Sequence, residues 1–213
     1  MCFPFLLLKL NDFIHYKLIL LAPMIYCSSL INFVSMRNYL LFITLLGFLT
    51  GSINTYAKGT YQTPENFVSE AFKQQVPEPV IAWIKDDLRK QVEEILQHKS
   101  KIKRTRYWKK DSRTVWILEE VGKKKPITVG IIIDNNKITR LKVLVFRETR
   151  GWEVRYPFFT KQFNQLSLMS DNKLSKSIDG ISGATLSVRA LDKLARIALL
   201  LNMNIQQQEN PQP

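Results

Sequence analysis

Ile127-Thr128-Val129-Gly130-Ile131-Ile132-Ile133, then Asp134-Asn135-Asn136, then Lys137-Ile138-Thr139-Arg140-Leu141-Lys142-Val143-Leu144-Val145-Phe146 is the stretch that sets the fold class. Two runs rich in β-branched residues flank three residues that tolerate positive φ, which predicts a hairpin. In the second run Ile138, Leu141, Val143 and Val145 alternate only in part. Upstream, Thr114 to Glu120 alternates loosely and reaches the hairpin through Gly122-Lys123-Lys124-Lys125-Pro126, a turn-forming segment. Strand candidates joined by short turns assemble most simply as an antiparallel meander.

Helical periodicity brackets these strands. From Val80 to His98, the residues Ile81, Ile84, Leu88, Val92, Ile95 and Leu96 recur at helical spacing after Pro77 and Pro79. This predicts one amphipathic helix whose stripe packs on the sheet, with Trp83 as a packing residue. Thr60 to Pro79 reads as an extended lead-in with a helical turn around Glu65–Phe72. Phe158 to Phe163 reads as a short helical turn, and Gln165 to Lys176 as a polar loop. At the far end Leu191, Leu194, Ala198 and Leu201 again repeat helically, with Arg189, Asp192, Lys193 and Arg196 between them. The expected class is α+β: a single domain, an antiparallel sheet packed with a few helices.

The chain has 213 residues and a net charge of +13. Its first 57 residues hold much of the apolar content and both cysteines, Cys2 and Cys27. Within 36–57, Arg37 precedes an apolar run from Leu40 to Leu49, and Thr55-Tyr56-Ala57 places small residues at the −3 and −1 positions. That pattern predicts a secretory signal peptide cleaved after Ala57. Residues 1–35, broken by Asp12, His15, Lys17 and Pro23, read as a start-site over-call, with Met36 as the true start. An uncleaved membrane anchor is the competing reading. Cleavage would remove three basic residues and one acidic residue, leaving 58–213 with a net charge of +11 and no cysteine. Such a domain suits an oxidising, periplasmic or otherwise extracytoplasmic compartment, and membrane association fits its charge.

Several chemistries find no support. There is no C-x-x-C, no zinc-ligand spacing and no haem attachment motif. His98, the one histidine after Ala57, sits where the predicted helix ends and a cation is favoured. Alone it supplies neither a metal site nor a hydrolytic triad with Ser167, Ser170, Ser175 or Ser177. Lys99 to Arg113 holds eight basic residues around Tyr107 and Trp108. That is one footprint of nucleic-acid binding. It also fits a solvated basic loop and strand, or a dock for an acidic protein or anionic lipid. Export favours these over nucleic acid.

Asp179-Gly180-Ile181-Ser182-Gly183-Ala184-Thr185-Leu186-Ser187 opens the last helix. On the residues alone this is a small-residue loop-to-helix start, with Ser182, Thr185 or Ser187 as N-cap and backbone N–H groups that favour an anion. The stretch resembles the signature D-G-I/V-S/T-G-A-T-x-S/T of the FMN-binding domain. That domain occurs in the C subunit of the sodium-pumping NADH:quinone reductase and the G subunit of the Rnf complex. The resemblance spans roughly 125–203 and includes the G-x-I-I-D pattern around Gly130. It implies that Thr185 carries FMN through a phosphoester bond installed by a separate flavin transferase. Ser182 and Gly183 would shape the turn, Asp179 would orient it or assist recognition by the transferase, and Gly180, Ala184 and Ser187 would complete the cofactor-binding set. The family often has E-T-P-G in the flavin wall; here Glu148-Thr149-Arg150-Gly151 stands, with arginine in place of proline. Gly151 would let backbone approach a flat ring, Thr149 could hydrogen-bond it, Trp152 could stack on it, and a guanidinium would favour reduced, anionic flavin. The same residues also fit a strand-end turn with an aromatic plug.

The organisation expected is therefore a leader (1–35), a signal peptide (36–57), a helical and basic part (58–124), an FMN-binding core (125–203) and a disordered tail (204–213). The leading functional expectation is an exported electron carrier with FMN on Thr185, serving a membrane-bound redox protein and having no catalytic residues of its own. A flavin-free basic module that docks an acidic protein or lipid surface is the alternative. A flavin-dependent enzyme with its own substrate is a third.

Overall fold

The computed structural model describes residues 59–209. Five strands, β1 (Val80–Trp83), β2 (Arg104–Lys110), β3 (Arg113–Val121), β4 (Pro126–Asp134) and β5 (Lys137–Phe146), form one antiparallel sheet in sequence order. The helices are α1 (Pro64–Ala71), α2 (Asp86–Leu96), α3 (Pro157–Thr160) and α4 (Thr185–Glu209). The α+β class and the meander both hold. The expected leader and signal peptide fall outside the described residues.

The β4–β5 turn is built on Asn135 and Asn136, with φ of 47° and 60°, between the paired residues Asp134 and Lys137. Two consecutive positive φ values match the twist of a two-residue hairpin. The partial alternation of β5 has a cause. Its pairing with β4 skips Thr139 and Leu144, two β-bulges that each insert one residue. Ile138, Leu141 and Val143 thus all face the inner core despite their uneven spacing, while Leu144 turns outward.

On the inner side, Val129, Ile131 and Ile133 of β4 meet Leu191, Leu194, Ala195, Ala198 and Leu201 of α4. Trp116 of β3 is fully buried there and stacks on Tyr107 of β2 at 4.8 Å. A polar network crosses this core. Trp116 Nε1 donates to Thr114 Oγ1 (3.1 Å), the Thr114 hydroxyl to Asn202 Oδ1 (2.6 Å), and Asn202 Nδ2 to Asn136 Oδ1 (2.7 Å). On the outer side α1, started by Thr63 Oγ1 accepting from Asn66 N–H, lays Phe67, Val68 and Ala71 over Val115, Ile132 and Leu144. A β-carbon at Gly130 would lie 2.5 Å from the Phe67 ring, so that glycine makes the seat for the phenyl group.

Three sequence expectations need correction. Val80 to His98 is not one helix: Val80–Trp83 is β1, the sheet edge, paired with β2, and α2 begins only at Asp86. The run Val-Ile-Ala-Trp is intrinsically strand-forming, and Ala82 alone of the four is buried. The α2 stripe of Val92, Ile95 and Leu96 packs largely beside α4. Trp83 does not pack in the core; it is half exposed. Residues 204–209, expected in a disordered tail, instead form the end of α4, which runs through Glu209. Buried Ile205 and an ion pair from Glu209 to Lys109 of β2 hold that last turn down.

Candidate functional site

The site forms where the chain leaving β5 meets the start of α4. Gly151 has φ of 81°, a conformation open to glycine and strained for other residues. A β-carbon there would lie 2.6 Å from Ser187 Oγ and 3.4 Å from Ala184 Cα. The absence of a side chain therefore lets the 148–151 loop lie against the first turn of α4. Residues read separately from the sequence, Gly151 on one side and Ala184 and Ser187 on the other, are brought into contact. Ser187 is buried by this closure, as is Ala184.

Thr185 is the first residue of α4 and is exposed, as are Ser182, Gly183 and Leu186. Ala184 N–H donates to Ile181 C=O (3.0 Å), and Val188 N–H donates to Ala184 C=O (2.9 Å). Ala184 thus occupies the cap position, rather than Ser182, Thr185 or Ser187, and its methyl group has no oxygen to offer. Among the described residues no side chain accepts from the N–H groups of Thr185, Leu186 or Ser187. Uncapped N–H groups at the positive end of a 25-residue helix favour a negative group. Gly183 enters the turn at φ 81°, and β-carbons built at Gly180 and Gly183 would meet nothing within 4 Å. There is room in front of the helix. Asp179 at the loop entry is fixed through its backbone, whose N–H donates to Gln162 Oε1 (2.8 Å). These features fit a phosphate held at the Thr185 end of α4.

The opposite wall is less uniform than the sequence implies. Glu148 turns away from the helix start: its Oε1 accepts the backbone N–H groups of Lys123 (2.6 Å) and Lys125 (2.8 Å), and also that of Lys124. Burial pushes its carboxyl up. The three N–H bonds and the Lys125 charge outweigh that and hold it below the usual carboxylate range. Glu148 therefore clamps the β3–β4 turn. Thr149 and Arg150 are exposed. Trp152 is also exposed and meets Tyr156 edge-on at 5.6 Å. The Arg155 guanidinium lies 4.3 Å from the Tyr61 ring centroid, 4.8 Å from Tyr156 and 5.1 Å from Trp152. Sequence reading passed over Arg155 and Gln162. Arg155 has the aromatic residues at 152 and 156 as a local signal, whereas nothing near Gln162 announces its partner 17 residues away.

His98 lies apart from this site, with Nε2 3.0 Å from Glu120 Oε1. That carboxylate raises its pKa, helped by the Lys99 carbonyl. Among the described residues no group of three His, Cys, Asp or Glu could hold a metal ion.

Comparison with known families adds one match. Residues 122–200 fit the family model of the FMN-binding domain. The matched segment starts at the β3–β4 turn and takes in β4, β5, the Glu148–Trp152 loop and the Asp179–Ser187 stretch. No curated protein matches the chain. The match supports FMN as the ligand and a flavin-based electron-transfer role. It and the motif together place residues 122–200 in the FMN-binding domain family.

Proposed function

We propose that this protein is an exported electron carrier that holds FMN through a phosphoester bond between the Thr185 hydroxyl oxygen and the FMN phosphorus. The observation that carries the reading is the position of Thr185: exposed, first in α4, behind an alanine cap and beside two glycines that face open space. The uncapped N–H groups of the first turn would bind the phosphate oxygens. Gly183 gives the turn its shape, and Gly151 allows the opposing loop to close on Ala184 and Ser187. Thr149 and Trp152, both exposed on that loop, are available to a planar ring. The bound flavin supplies the electron-transfer chemistry; the chain supplies position and charge. A covalent tether suits a compartment where free cofactor is scarce, because it keeps the local concentration high.

A signal peptide ending at Ala57 would deliver the domain outside the cytoplasm. There a flavin transferase would join the Thr185 oxygen to the FMN phosphorus of a flavin dinucleotide, breaking its pyrophosphate bond and releasing a nucleoside monophosphate and the hydroxyl proton. A membrane-bound redox protein would exchange electrons with the bound flavin. The test is intact mass and visible spectrum of protein exported from a host that has the transferase. Wild type should carry one FMN whose absorbance survives acid precipitation, with an N-terminus near Lys58. Thr185→Ala should lose both colour and added mass while keeping its far-UV spectrum. Colourless wild type of unmodified mass would remove the proposal.

A further inference from the structure

The outer side of β1 and β2 is an unpartnered sheet face. Ile81 pairs with Arg106 and Trp83 with Arg104, and directly opposed residues share a face. The alternate residues Ala82 and Tyr107 are buried in the core, so Ile81, Trp83, Arg104 and Arg106 look outward. α1 covers that outer side over β3 to β5, through Val115, Ile132 and Leu144, and its cluster reaches β2 at Trp108, beyond Arg104 and Arg106. Among the described residues nothing covers its β1–β2 end: Trp83 is 52 % exposed and Ile81 44 %. Two cations flank the indole, Lys85 Nζ at 5.3 Å and the Arg104 guanidinium at 5.7 Å from the ring centroid. Residues 99–110, which lead into and form β2, contain seven Lys or Arg and no acidic residue, and Ile102 among them is exposed.

Isolated exposed apolar residues are ordinary on protein surfaces. Here an indole and an isoleucine lie side by side, ringed by cations, on the bare end of a face that is otherwise covered. We propose that this β1–β2 face docks on an anionic lipid bilayer, with Trp83 and Ile81 entering the headgroup region and Lys85, Arg104 and Arg106 meeting lipid phosphates. Tryptophan favours that boundary, where its ring is buried and its N–H stays wet. Basic residues near an anionic surface add attraction that salt weakens. A lipid surface is favoured over an acidic protein because the cations are dispersed around an apolar centre of exposed Trp83 and Ile81. Docking here does not depend on bound flavin.

The test uses the full-length chain with vesicles of brominated phosphatidylcholine, alone or mixed with brominated phosphatidylglycerol. Reading the emission of Trp83 itself keeps any membrane attraction of residues 1–57 from deciding the result. Brominated anionic vesicles should quench a component of the emission that Trp83→Phe removes. That component should be absent with neutral vesicles and fade as salt rises. Arg104→Glu with Arg106→Glu should weaken the response about 30-fold or more, at about five-fold for each cation removed, with an unchanged far-UV spectrum. Equal quenching of wild type and Trp83→Phe overturns the proposal, and so does quenching that survives the double charge reversal. Binding to poly-glutamate without Trp83 quenching by lipid would assign the face to an acidic protein and also overturn it.

Discussion

Gly151 carries two constraints at once, a positive φ and a contact with Ser187 that leaves no room for a β-carbon. Gly151→Ala is therefore expected to cost about 2 kcal/mol, the sum of backbone strain and a forced shift of the α4 start. Urea denaturation would measure it. Because the nearer obstacle is a side-chain oxygen, Ser187→Ala should recover part of the loss and leave the φ contribution in place. Glu148 offers a prediction in pH. Its carboxyl is held below its ordinary range in the folded protein, so the stability it adds is present above the unfolded pKa and is lost as pH falls through the folded one. Wild type should thus lose more stability than Glu148→Gln on acidification from neutral pH to below the ordinary Glu value. A parallel decline in both proteins would exclude that role. The helix start at Thr185 was legible in the sequence because its motif is contiguous. The orientation of Glu148 was not, because its partners Lys123–Lys125 lie 23 to 25 residues away and no local pattern names them.

At the scale of elements, periodicity succeeded where one face of an element dominates its burial and failed where it does not. β3, β4 and β5 were visible as strands, and the Asn135–Asn136 turn fixed the connection of β4 to β5. β1 was absorbed into a helix because Ile81, Ile84 and Leu88 happen to fall at helical spacing; its pairing with β2 decides otherwise, and no residue of β1 signals that partner. The bulges of β5 were likewise hidden, since they appear only once β4 lies alongside. The alanine cap of α4 could not be read from a stretch offering three hydroxyl residues as alternatives. Asn202 is the most informative residue on α4 outside the site. It is fully buried among apolar neighbours, accepts from Thr114 and donates to Asn136, joining α4 to β3 and to the hairpin turn. Asn202→Ala leaves the buried Thr114 hydroxyl without its acceptor, whereas exposed Asn136 can turn to water, and should cost about 2 kcal/mol in chemical denaturation. Combined with Thr114→Val, the loss should be clearly less than the sum of the single changes, because the two residues act in one network. Strict additivity would mean that the hydrogen bond contributes little.

For the molecule as a whole, the family match and the folding unit have different boundaries. The match begins at Gly122 and so takes in only β4 and β5 of the sheet. β3 pairs with β4 along its whole length, from Arg113 opposite Asp134 to Val121 opposite Pro126. It also supplies Trp116 and Leu118 to the core beneath α4. Removing residues before Gly122 would turn β4 into an open edge, expose the face of α4 that rests on β3, and strip α1 from the outer side. What remains is a bulged hairpin with one long helix, and two-stranded hairpins are marginal without further packing. A fragment of 122–209 is accordingly expected to lack a cooperative unfolding transition and to be digested rapidly by protease. A fragment of 59–209, which keeps all five strands and both layers, should unfold in a single transition. Far-UV circular dichroism with denaturant titration on the two fragments separates the cases. Cooperative folding of the shorter piece would mean that α4 and the β4–β5 hairpin suffice, and that β1 to β3 are an attachment to the flavin-binding segment and not part of its core.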